Sequence, residues 1–279
     1  PLDTLSQLGL PPQLKLLTEE ELDHWPVVWG RWLKRISQEP GDLKTQFEAM
    51  VQDVGRHNLE QWLKSALSNR LELQLTDEAG RLWNAIEAAC DVMPQWAGFD
   101  DPLQSVMHER QEAAWRALAK ELGALKGVNA QSAAQGLVDA LMSRDPEERL
   151  HCLKRALLTD KGLPRKNIKK DLDSLLAAQE WLADLVAALQ QNALRQTHQR
   201  MVVLSRSLFE TYAQFKREGG YIDMVDLERG ADHLLRDESL SSWVQQRLDQ
   251  QLRHVLMDEF QDTSPLQWRA LREWLAVSY

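Results

Sequence analysis

The chain has 279 residues, of which 43% are hydrophobic and 27% are charged. These proportions are typical of a globular protein, and the length allows one large domain or two ordinary ones. A net charge of -9 excludes a generally basic nucleic-acid-binding coat, so any contact with DNA or RNA must be local.

No stretch approaches about 18 uninterrupted apolar residues, so no transmembrane helix and no membrane partner are expected. The chain's two cysteines, Cys90 and Cys152, do not have the spacing of a metal site. Neither lies in a Cys-x-x-Cys string, and a reducing, cytoplasmic location is expected.

Most of the sequence has the periodicity of amphipathic helices. Thr18 to Glu21 is a capping box that opens the first helix. An apolar stripe on that helix includes Trp25, Trp29 and Trp32. A stripe of tryptophans could stack nucleic-acid bases, but spacings of three and four residues favour a buried helix face.

Further helices follow in order. Arg81 to Val92 is predicted to be one helix, and Ala130 to Met142 another. Asp101-Pro102 and Asp145-Pro146 each place an acid at N-cap and proline at N1. The helices they open are expected to run to about Leu122 and Leu157.

Residues 161–170 form a strongly basic segment. Its glycine and proline predict a loop that leads into a helix. The segment has five positive charges and no acid: Lys161, Arg165, Lys166, Lys169 and Lys170. It is either a solvated loop or a contact for a few nucleic-acid phosphates.

A long helical pattern then extends from Leu172 to Gly219-Gly220, as two long helices or one bent helix. A helix follows from about Tyr221 to Arg236, with Asp223 placed as N-cap and Asp226 at N3. Ser239 to Gln251 is predicted to be helical, and Arg253 to Met257 to be a strand. Ser264-Pro265-Leu266-Gln267 is a capping box that opens a last helix.

Acidic residues follow the predicted strand directly. Asp258 and Glu259 come after the apolar run Val255 to Met257, and Asp262 comes soon after. In open α/β sheets, binding sites lie at the carboxyl ends of strands. A carboxylate pair there suits Mg²⁺ and an attacking water, although a bare Asp-Glu pair is more often a solvated strand end.

The longer string Asp-Glu-Phe-Gln-Asp-Thr-Ser-Pro-Leu-Gln, residues 258–267, resembles the Walker B motif (motif II) of UvrD/Rep-type superfamily 1 helicases. Ile222 to Glu228 resembles the family's upstream Asp-Phe-x-Asp-Leu string, with Met224 where an aromatic residue is usual. Residues 1–33 and the basic segment resemble the AddA/RecB helicase–nuclease branch more loosely.

The resemblance implies a role for each residue of the string. Asp258 would hold the Mg²⁺ of Mg-ATP and Glu259 would activate the attacking water. Gln261 and Asp262 would couple the nucleotide site to neighbouring motifs. Mg²⁺ and ATP are expected in the intact protein. Neither is expected on this chain alone, because it contains no Gly-x-x-x-x-Gly-Lys-Ser/Thr string and no arginine finger can be placed.

The resemblance also implies a mainly α fold. Residues 1–220 would form a helical insertion domain of the 1B type. Residues 221–279 would return to an incomplete RecA-like α/β domain with a short strand and a helix. The expected partners are single- and double-stranded DNA, the rest of the helicase chain and a second nuclease subunit of the AddB/RecC type. The alternative is a helical protein-interaction module without ATPase chemistry.

Overall fold

The computed structural model describes residues 14–17, 24–38, 41–168, 172–236, 261, 263–264, 266–269 and 272. Helices dominate it, which confirms the predicted mainly α fold. The helices are α1 (Trp25–Gln38), α2 (Asp42–Val54), α3 (Arg56–Ser68), α4 (Arg70–Glu78), α5 (Ala89–Val92), α6 (Glu109–Gly123), α7 (Val128–Met142), α8 (Pro146–Leu157), α9 (Asp173–Gly219) and α10 (Met224–Arg236). The strands are β1 (Lys15–Leu16) and β2 (Tyr221–Ile222).

The chain forms two compact units. The first unit contains residues up to 76 and from 203 onward, and the second contains residues 77–202. The predicted boundary at residue 220 concerns the domains of a complete helicase and stays a prediction.

Strands β1 and β2 bring distant parts of the first unit together. They pair in parallel, with Lys15 opposite Tyr221 and Leu16 opposite Ile222. Backbone hydrogen bonds of 2.8 Å join Lys15 N–H to the Gly220 carbonyl and Leu17 N–H to the Ile222 carbonyl. The segment before α1 therefore lies beside the segment after α9, a pairing that the sequence did not predict.

The tryptophan stripe of α1 belongs to the core of the first unit. Trp32 is fully buried, and its indole N–H donates to Ser207 Oγ at 3.1 Å. Trp29 is buried too, and its ring stacks on Trp25 with 5.3 Å between centroids. These contacts confirm that the stripe is a packing face.

The second unit has its own hydrophobic core, which includes Trp115, Leu137, Leu153 and Leu182. Helices α6 and α8 each pack on α7 around it. Beside this core, the buried guanidinium of Arg149 donates to Glu112 Oε1 at 2.7 Å and to the Ser143 carbonyl at 2.8 Å. The hydrogen bond from Arg149 lowers the pKa of the Glu112 carboxyl.

Helix α9 is one helix of 47 residues, so the single-helix alternative is the right one. Its sequence has no proline and no glycine before Gly219, and nothing in it breaks the backbone ladder. Gly220 follows with φ 65°, a left-handed conformation that glycine adopts easily and that commonly ends helices.

The predicted helix from Arg81 to Val92 is wrong. Only Ala89 to Val92 is helical. Side chains of α9 take the backbone hydrogen bonds that a helix would have used: Asn192 Oδ1 accepts from Ala89 N–H at 2.8 Å, and Gln191 donates to the Glu87 carbonyl at 2.9 Å. His198 Nε2 lies 2.7 Å from the Leu82 carbonyl. Tertiary contacts therefore override the local periodicity.

The helix predicted to start at Asp101 is also divided. Asp101 caps a 3₁₀ turn, Pro102–Met107, and a new helix, α6, begins after His108. By contrast, Asp145 accepts from Glu147 N–H at 3.3 Å and caps α8 as predicted. Throughout the described part of the chain, no helix combines the length and the apolar character needed to cross a membrane.

Candidate functional site

Helix α10 starts with a reciprocal cap, as its sequence predicts. Asp226 N–H donates to Asp223 Oδ1 at 3.1 Å, and Asp223 N–H donates to Asp226 Oδ2 at 3.1 Å. Each carboxylate thereby satisfies a backbone donor that the helix start would otherwise leave without a partner.

The same two carboxylates are paired with cations. Lys216 Nζ donates to Asp223 Oδ2 at 2.8 Å and also contacts Asp226 Oδ2. The Arg70 guanidinium contacts Asp223 Oδ1, and the Tyr212 hydroxyl donates to Asp223 Oδ2 at 3.0 Å. Both cations lie near the Tyr212 ring, at 5.2 Å for Arg70 and 4.8 Å for Lys216. We call these five residues the Asp223 cluster; its four formal charges cancel.

Burial and charge act in opposite directions on Asp223. Burial alone would raise the pKa of its carboxyl, but the Lys216 hydrogen bond and the Arg70 charge outweigh it, so the pKa is lowered. Burial is the main cause that raises the pKa of the Tyr212 hydroxyl, and the negative charge of Asp223 nearby raises it further. Asp223 is therefore a structural anion that its neighbours already use, and it is not available as a metal ligand.

A helix begins at the end of the string 258–267 with the predicted capping box. Gln267 N–H donates to Ser264 Oγ at 3.1 Å, and Ser264 N–H donates to Gln267 Oε1 at 3.2 Å. The Gln267 amide also donates to Glu228 Oε1 at 2.5 Å. Arg269 forms a two-point ion pair with Asp232, with N–O distances of 2.8 and 2.6 Å.

Glu228 and Asp232 lie four residues apart on α10, so they share one face of that helix. Through them α10 holds the start of the last helix, and Leu266 is buried there. The end of the string 258–267 is therefore fixed to α10. Asp223 and Asp226, the acids of the upstream string, cap the start of that same helix.

The acids of the string at residues 258–267 are not among the residues that the structure describes. Asp258, Glu259 and Asp262 lie outside the described residues, while Gln261 is described and exposed. Among the described residues, no group of three His, Cys, Asp or Glu side chains is arranged to hold a metal ion. The roles expected for Asp258, Glu259, Gln261 and Asp262 stay predictions.

Residues 161–168 of the basic loop (residues 161–170) are described, and hydrogen bonds hold them in place. Thr159 N–H donates to the Leu163 carbonyl at 2.7 Å, and Gly162, with φ 75°, makes the turn. Arg165 Nε donates to the Leu158 carbonyl at 2.6 Å, so this predicted phosphate contact also supports the loop. Lys161 and Lys166 are exposed, whereas Lys169 and Lys170 lie outside the described residues.

A family model described as "UvrD/REP helicase N-terminal domain" matches residues 58–277. This match covers well over half of the chain. The chain belongs to the UvrD/REP helicase family. The matched residues include the Asp223 cluster, the basic loop and the motif II string.

One relative in this family points to a branch. Over 76 residues the chain is 37% identical to the AddA-type subunit of the ATP-dependent helicase/nuclease of Exiguobacterium sibiricum. The match covers 27% of this chain and 6% of that relative, so this chain spans only a small part of the relative's length. No solved structure matches the chain. UvrD-like helicases use ATP and Mg²⁺ and bind DNA.

Two residues of the Asp223 cluster could not be found from the sequence. Lys216 lies in the last turn of α9, seven residues before Asp223, where a lysine usually indicates only a favourable helix end. Arg70 is separated from Asp223 by most of the chain, and no local pattern marks it. The two-residue strand β2 was equally invisible, because two residues carry no periodicity.

Proposed function

We propose that this chain is the insertion domain and motif II segment of an ATP-dependent DNA helicase of the helicase–nuclease branch. The match to the helicase N-terminal domain over residues 58–277, which contains the string at 258–267, carries the proposal. The similarity to one subunit of an ATP-dependent helicase/nuclease supports the branch. The complete protein would couple ATP hydrolysis to movement along DNA in double-strand-break repair.

Within the complete protein, Asp258 would hold the magnesium ion of Mg-ATP through a water molecule. Bound there, the ion would neutralise charge on the phosphates during phosphoryl transfer. Glu259 would orient the attacking water and accept its proton. Gln261 and Asp262 would link this site to neighbouring motifs. The described contacts of Ser264, Gln267 and Arg269 would fix the segment that follows these residues.

This chain alone would not hydrolyse ATP. Its sequence contains no Gly-x-x-x-x-Gly-Lys-Ser/Thr string, the backbone cradle that P-loop enzymes use for ATP phosphates. The chain would instead contribute a DNA contact, through the cations of the basic loop. The expected partners of the complete protein are DNA and a second nuclease subunit.

The first test is DNA binding by this chain and by a variant with Lys161→Gln and Lys166→Gln. Both lysines are exposed, so their replacement should leave the fold intact. The variant should bind more weakly, and the dependence of log affinity on log salt should flatten by about one unit per lost phosphate contact. The matched control replaces two exposed lysines of the same unit, Lys120 and Lys154. Equal loss in both variants would contradict a specific role for the loop.

The second test concerns the gene that encodes this segment. A Gly-x-x-x-x-Gly-Lys-Thr string should precede the segment, because the Walker B acids need a phosphate-binding loop as their counterpart. Absence of such a string from the encoded protein would contradict the proposed ATPase and would favour an interaction module.

A further inference from the structure

A polar cleft lies within the second unit, between α7, α8 and the basic loop. Its volume is about 440 Å³. Polar side chains dominate its lining, among them Asn129, Ser132, Gln135, Arg155, Arg165 and Asn167. The charge of the loop predicted it as a possible phosphate contact, but the sequence did not predict that α7 and α8 form the other walls of a cleft.

The cleft is positively charged. Arg155 and Arg165 line it together with a single carboxylate, Asp139, which accepts a hydrogen bond from Gln135 at 2.8 Å. Arg155 is exposed, and its guanidinium forms no hydrogen bond or ion pair with any residue of the described chain. A guanidinium without a partner at the edge of a polar cleft is ready to bind an anion.

Internal hydrogen bonds fix the walls of the cleft. Asn129 Nδ2 donates to the Asn167 carbonyl at 2.9 Å, which ties the loop to α7. Gln179 donates to the Leu157 carbonyl at 2.9 Å and to the Arg165 carbonyl at 3.2 Å, and Ile168 is buried. Because the walls are already ordered, a ligand would lose little free energy in organising them.

The chemistry of the lining suits a phosphate group. A guanidinium presents paired donors that match two phosphate oxygens, and side-chain amides add neutral donors. The first turn of α7 carries no acidic residue, so its N-terminus does not repel an anion. Lys161 and Lys166 are exposed on the loop that forms one wall, although neither lines the cleft.

We propose that this cleft binds a phosphate of the DNA backbone, with Arg155 and Arg165 as its charged contacts. The inference rests on the proposed DNA contact and extends it, because it moves the centre of binding from the loop to the cleft. Arg155, which lies outside the basic loop, becomes the residue that distinguishes the cleft from the loop alone.

The first test uses the two cysteines as reporters. Both are half-buried free thiols of the second unit, but Cys152 lines the cleft and Cys90 does not. The alkylation rate of each is measured with and without saturating single-stranded oligonucleotide. DNA should slow the alkylation of Cys152 several-fold and leave Cys90 unchanged. Equal effects on the two thiols, or no protection of Cys152 by bound DNA, would overturn the proposal.

The second test compares Arg155→Gln with Arg144→Gln, a matched change at an exposed arginine that does not line the cleft. Arg155→Gln should weaken oligonucleotide binding about tenfold, the usual value of one charge-assisted hydrogen bond. Arg144→Gln should have little effect. Asp139→Asn removes the carboxylate and should strengthen binding. Equal losses in the two arginine variants would overturn the assignment.

Inorganic pyrophosphate separates failure of the cleft from failure of the proposed DNA contact. If the chain does not bind DNA, the DNA contact is wrong. Pyrophosphate that protects Cys152 in the wild type but not in Arg155→Gln would then still support a phosphate site. If the loop variant loses DNA affinity and Arg155→Gln does not, the loop contact stands and the cleft is overturned.

Discussion

Asp223 is the residue on which the start of α10 depends. Its side chain is only 11% exposed. Its carboxylate forms ion pairs with Lys216 and Arg70 and accepts a hydrogen bond from Tyr212. Replacing it with asparagine should destabilise the fold by about 3 kcal/mol, because two cations would lose their buried partner. Urea unfolding measures this loss. Asp226→Asn, at a carboxylate that is 35% exposed, should cost less; an equal cost would contradict the central place of Asp223.

The lowered pKa of Asp223 gives the stability an acid dependence of known sign. In the unfolded chain the carboxyl titrates near 3.8. Since its folded pKa is lower, its contribution is present above about pH 4 and is lost as the pH falls through the folded pKa. The free energy of unfolding should therefore fall more steeply below pH 4 in the wild type than in Asp223→Asn. Parallel curves would contradict this account.

Tyr212 gives the opposite dependence at alkaline pH. Its hydroxyl ionises near pH 10 when unfolded, whereas burial raises the pKa in the folded chain. The contribution of the protonated Tyr212 hydroxyl to the stability of the fold is therefore complete below pH 10. It is lost as the pH rises through the folded pKa. Tyr212→Phe should remove this alkaline loss in unfolding experiments between pH 9 and 11. A variant that loses stability above pH 10 as the wild type does would exclude Tyr212 as its source.

At the scale of elements, α7 and α8 approach closely at Gly136. A Cβ added there would lie 2.9 Å from the Ala156 Cβ, closer than two carbon atoms can pack. Gly136→Ala should therefore destabilise the fold by about 1–3 kcal/mol.

Gly30→Ala is the matched control for Gly136→Ala. It lies inside α1, and a Cβ there would meet nothing within 4 Å. It should stabilise the fold by about 0.5–1 kcal/mol, because alanine favours a helix. Thermal unfolding measures both, and changes of the same sign would contradict the packing.

Helix starts were predictable where their chemistry is local. The caps at Asp145, Asp223 and Ser264 each form within a few residues, and all three are present. The segment from 81 to 88 was not predictable, because Asn192, Gln191 and His198 of a distant helix decide its backbone hydrogen bonds. The strand pair β1–β2 was missed because strands of two residues carry no periodicity.

At the scale of the whole molecule, the family could be recognised from a short string, while its surroundings could not be derived. Residues 258–267 resemble motif II in the sequence, and the family model that matches residues 58–277 covers them. The partners of Asp223 and the walls of the polar cleft come from residues far apart in the chain. No periodicity records such pairs, so only the fold reveals them.

The chain and the complete protein should differ in ATP hydrolysis. Without a phosphate-binding loop, this chain should show no turnover above background, with or without DNA. A colorimetric assay of released phosphate is sufficient to measure it. Clear turnover by the chain would mean that it contains an ATP-hydrolysing site of another kind.

The most direct measurement is DNA-stimulated ATP hydrolysis by the complete protein carrying Glu259→Gln. If Glu259 accepts the proton of the attacking water, hydrolysis should fall at least about a hundredfold while ATP and DNA binding remain. Glu180→Gln, at an exposed position of α9, should leave hydrolysis unchanged. Near-normal hydrolysis in Glu259→Gln would contradict the assignment of motif II and the helicase chemistry proposed from it.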